Sequence, residues 1–68
     1  MKPLKYWIKQ RYNPQLGTYY ITMGQLTAKD AKAHEKTIFG HNTMHRFDSH
    51  EKYQDEIEKL QAAGERVQ

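Results

Sequence analysis

The chain has 68 residues, eleven Lys/Arg against eight Asp/Glu, and no cysteine, which sets it near the lower size limit for a single core without disulfides or metal. The missing thiol excludes a disulfide framework, a thiolate zinc site and a cysteine nucleophile, and it fits a reducing, cytoplasmic setting. Apolar runs are too short for a membrane span or an export signal, so one soluble domain over residues 1–68 with no membrane partner is expected.

The first element read along the chain is a strand over "KYWIKQRY", residues 5–12. Alternation puts Tyr6, Ile8 and Tyr12 on one face and Lys5, Trp7, Lys9 and Arg11 on the other. "NPQL" at 13–16 followed by Gly17 is turn chemistry, because Asn favours the first turn position and Pro presets φ at the second. A second strand, "TYYITMG", completes a hairpin. A four-residue loop pairs Ile8 with Ile21, Tyr6 with Met23 and Lys9 with Tyr20, and this register keeps the lysine face away from Ile21 and Met23.

"QLTAKDAKAHEKTIFG" reads as a helix capped by Thr27, with Asp30 three residues on and Leu26 and Ala31 placed as a hydrophobic staple. Ala31, His34 or Glu35, and Ile38 form a narrow inner stripe, and Gly40 is the expected stop. "NTMHRFD" is a short strand in which Met44 and Phe47 differ in parity, which implies a bulge or a strand apolar on both sides. The final third is a helix capped by Asp48 or Ser49, with Tyr53, Ile57 and Leu60 at i, i+4 and i+7 and Gly64 ending it. "ERVQ" adds a last strand through Val67. The order β-β-α-β-α-β predicts an α+β domain, a small mixed sheet with two helices packed on one face.

With one face covered, Lys5, Trp7, Lys9, Arg11, Tyr20 and Thr22 are expected on the open face of the hairpin. Rings interleaved with cations suit nucleic acid, single strands above all, because bases stack on rings while cations neutralise phosphates. The positive charge is concentrated there: residues 1–25 hold Lys2, Lys5, Lys9 and Arg11 and no acid. The same face also suits a protein partner, and lysine stems shielding a ring on a solvated surface are a third reading.

Four histidines, His34, His41, His45 and His50, invite a metal reading, but their spacing matches no ligand motif and no metal or other cofactor is expected. Asp48, Glu51, Asp55 and Glu58 near His45 have the period of an exposed helix face, and Ser49 is explained by capping. The expectation is a non-enzymatic binding module. In size, hairpin start and compact mixed architecture the chain resembles in outline small phage-encoded inhibitors, including anti-CRISPR proteins, although no residue motif assigns a family. That resemblance implies the alternative function of blocking a nucleic-acid-handling protein complex.

Overall fold

The computed structural model describes residues 4–37 and 40–68. Strands β1 (Lys5–Asn13) and β2 (Gly17–Leu26) form the hairpin. Helix α1 (Ala28–Glu35), the two-residue strands β3 (Lys36–Thr37) and β4 (Gly40–His41), strand β5 (Thr43–Phe47), helix α2 (His50–Ala62) and strand β6 (Arg66–Val67) follow. The main sheet has the order β5-β1-β2-β6, and β3 and β4 pair separately. Because β1 is antiparallel to β2 and β5 while β6 is parallel to β2, the sheet is mixed. This is the expected α+β architecture, with the β3–β4 ribbon as an addition.

The hairpin loop is one residue shorter than expected. Asn13 pairs with Gly17, leaving Pro14, Gln15 and Leu16 as the loop, and Gly17 has φ +84°. Three-residue loops combine a type I turn with a left-handed residue, which glycine adopts without a Cβ penalty. Asn13 Oδ1 accepts from the Gln15 and Leu16 N–H groups at 2.8 and 3.2 Å and holds the turn. The shorter loop slips the expected register by one, so Lys9 pairs with Ile21 and Arg11 with Tyr19. A bulge at Met23, beside Gly24 at φ +71°, then restores Gln25 to the face of Tyr6, where its Nε2 donates to the Tyr6 hydroxyl at 3.1 Å.

The two helices lie on opposite faces of the sheet, which corrects the expectation of one shared face. Helix α1 carries the chain from β2, third in the sheet, to β5 at one edge, whereas α2 carries it from β5 to β6 at the other edge. Right-handed crossovers that run in opposite directions deposit their helices on opposite sides. Side-chain contacts follow that rule. Lys9 Nζ lies 3.4 Å from His34 Nδ1 of α1, while Tyr6 on the other face meets Tyr53 of α2 with ring centroids 5.2 Å apart. The same arrangement explains β5, in which Met44 pairs with Lys9 on the α1 side and Phe47 with Tyr6 on the α2 side.

Local capping sets the helix limits. Thr27 Oγ1 accepts from Asp30 N at 3.2 Å, but α1 stops at Glu35 and does not reach Gly40. Its last carbonyls are taken by Asn42, whose N–H donates to Glu35 O and whose Nδ2 donates to His34 O. Ile38 and the side chain of His41 lie outside the described part. Ser49, rather than Asp48, caps α2 by accepting from Lys52 N. Its far end is a Schellman turn, with Gly64 N donating to Gln61 O and Glu65 N to Leu60 O.

Candidate partner-binding surface at the hairpin tip

The six expected site residues do not form one open face. Trp7 is only 9% exposed, lies on the α1 side of β1 and donates from its indole nitrogen to Leu26 O at 3.1 Å. Lys9, on the same face, is also 9% exposed. Burial pushes the Lys9 ammonium below its ordinary pKa, with the nearby Arg11 charge as the second cause. Lys5 is half-buried and lies 3.6 Å from Asp48, which Arg46 also approaches at 3.7 Å.

Tyr20 and Thr22 belong to the opposite face, since the register pairs them with Gln10 and Ile8. Tyr20 helps to line a cavity of about 90 Å³ under α2, together with Ile8, His45, Phe47, Glu56 and Leu60. Thr22 Oγ1 donates to Gln68 O at 2.9 Å and so tethers the segment that follows β6. Of the six, Arg11 is the one that lines the groove between the hairpin and β6.

That groove is a different surface. It is open, about 570 Å³ in volume, and runs between the hairpin and β6, lined by Arg11, Leu16, Tyr19, Ile21, Arg66 and Val67 among others. The Arg11 guanidinium lies 5.9 Å from the centroid of the Tyr19 ring, a cation–π arrangement. Leu16 is 53% exposed and Tyr12, at the tip, is 71% exposed. Arg11 and Arg66 face one acid in the lining, Glu65. The alternation of β2 would have indicated Tyr19 and Ile21 had the hairpin loop been counted as three residues.

The three histidines whose side chains are described take separate roles. His34 sits over Lys9, His45 Nε2 donates to Gln10 Oε1 at 2.7 Å, and His50 packs edge-on against Tyr6 at 5.4 Å between ring centroids. Among the described residues, no three His, Cys, Asp or Glu side chains are grouped as metal ligands, and no helix is long and apolar enough to cross a membrane. Comparison with protein-family models, curated proteins and solved structures finds no match.

Proposed function

We propose that the protein is a non-enzymatic binding module whose hairpin-tip groove docks an extended, acidic segment of a partner protein. The observation that carries this reading is the exposed Tyr12–Leu16 tip beside a groove with an apolar floor and two arginines against one glutamate. Tyr and Arg are among the residues enriched where protein surfaces meet, and arginine forks match carboxylates in geometry and charge. In this reading the module works in a cytoplasmic, reducing setting, to which a cysteine-free chain is suited.

Single-stranded nucleic acid is the second reading, favoured by the pairing of Arg11 with Tyr19 within the acid-free N-terminal segment. Its strength is reduced by the cover over Trp7 and Lys9. Titration followed by NMR separates the two, using a peptide that alternates acidic and aliphatic residues and an oligothymidylate. The expected result is peptide-induced shifts at Leu16, Tyr19, Ile21 and Val67 that disappear in Arg66→Glu. Shifts given by the oligonucleotide instead, weakening steeply with salt through counterion release, transfer the groove to the second reading. Silence with both ligands removes the site.

A further inference from the structure

The contact between α1 and Lys9 carries a consequence that does not depend on the hairpin-tip groove. A lysine ammonium only donates hydrogen bonds, so the 3.4 Å approach of Lys9 Nζ to His34 Nδ1 requires a lone pair on Nδ1. His34 must then be neutral, with its proton on Nε2. Protonating the ring removes the acceptor and sets two cations against each other in a half-buried site.

Among the described residues little else holds α1 down. The helix has eight residues, too few to persist without packing, and Ala31 is its single buried side chain, at 1% exposure. At its end Asn42 holds the carbonyls of His34 and Glu35, which would hinge the helix at that point. From these contacts we infer that α1 is a proton-released cover: protonation of His34 breaks its bond to Lys9 and lifts the helix from Trp7 and Lys9.

The surrounding charges favour this sign. From β1, Lys9 touches His34, and Arg11 lies two residues further along the same face. From β5, the residue paired with Lys9 is the uncharged Met44, with Arg46 beyond it opposite Trp7. Among the described side chains that follow α1, the uncharged Asn42 is the one that bonds the helix end. On α1 itself, Asp30 stands one turn before His34 and Glu35 follows it, but both are exposed, so their attraction for an imidazolium is screened. Among the described residues no salt bridge reaches Lys9 or His34; those formed are at Asp48.

Trp7 is the only tryptophan, so its accessibility to acrylamide reads the position of α1 directly. Quenching is expected to rise as pH falls from neutrality. Hydrogen exchange should lose protection at Ala31–Glu35 while the β1–β2 ladder amides keep theirs, which distinguishes lifting of the helix from unfolding. His34→Gln keeps a neutral acceptor that cannot be protonated, and Lys9→Met removes the cation; each should flatten the quenching profile, whereas His50→Gln should leave it intact. A flat wild-type profile overturns the inference. So does a transition that persists in both His34→Gln and Lys9→Met, or one in which hairpin and helix lose protection together.

Discussion

The hydroxyl of Tyr53 in α2 accepts from the backbone N–H of Gly24 at 3.2 Å, which fastens the second helix to the bulge in β2. Tyr53 also packs against Tyr6 and Phe47, so one side chain joins the aromatic cluster to the backbone irregularity. Tyr53→Phe keeps the ring and leaves a part-buried N–H without its acceptor. The expected cost is about 1–3 kcal/mol in urea unfolding. A neutral result would mean that water replaces the hydroxyl.

Trp7 supports the fold from beneath α1. Trp7→Ala is expected to cost about 3–5 kcal/mol, enough to unfold much of so small a domain. At neutral pH the wild-type emission maximum should be that of a shielded indole. A fully solvated emission, or an alanine variant of unchanged stability, would place Trp7 outside the core.

Lys9 sets a pH dependence opposite to that of a salt-bridged lysine. Its folded-state pKa lies below the ordinary 10.5 through desolvation and then through Arg11, so the unfolded chain binds more protons across that interval. Stability contributed at this position therefore rises as pH climbs through the window, and the penalty is fully present below the folded value. Lys9→Met removes the penalty. Its stability relative to wild type should be greatest at neutral pH and shrink as 10.5 is approached, measured by paired urea titrations. A relative stability that grows with pH would contradict the assignment.

Gly17 has nothing within 4 Å of where a Cβ would stand, yet its φ is +84°. Gly17→Ala is expected to cost about 1–2 kcal/mol from backbone strain alone. Gly17→Asn should recover part of the loss, because asparagine tolerates the left-handed region. Equal stability of all three would show that the turn changes type.

Element order and the α+β class were legible because the chain's punctuation is explicit: Asn13-Pro14, the Thr27 cap, Ser49 and Gly64 each mark a boundary used in the fold. The candidate face was not legible, for two physical reasons. Loop length moved by one residue, which transferred Tyr20 and Thr22 to the other side of the sheet. Strand order was the second, since alternation along β1 shows two distinct faces but cannot reveal that the crossovers run in opposite directions. Trp7 and Lys9 were therefore expected in the open. Ile57 and Leu60 keep the expected helical period, and α2 on so narrow a sheet leaves both half-buried.

The parallel pairing of β6 also sets an order of events in time. Its closing bonds join Gln68 to Tyr20 and Thr22, the longest loop in the sheet, whereas Asn13 and Gly17 meet across three residues. Closing a long loop sacrifices more chain entropy before any contact compensates for it. The hairpin turn should therefore be formed in the folding transition state and β6 should join after it, so Val67→Ala would speed unfolding and leave the refolding rate almost unchanged. The strand that borders the groove is the last to arrive and the first to leave, and a ligand resting on Val67 and Arg66 would slow the departure of the whole chain from its native state.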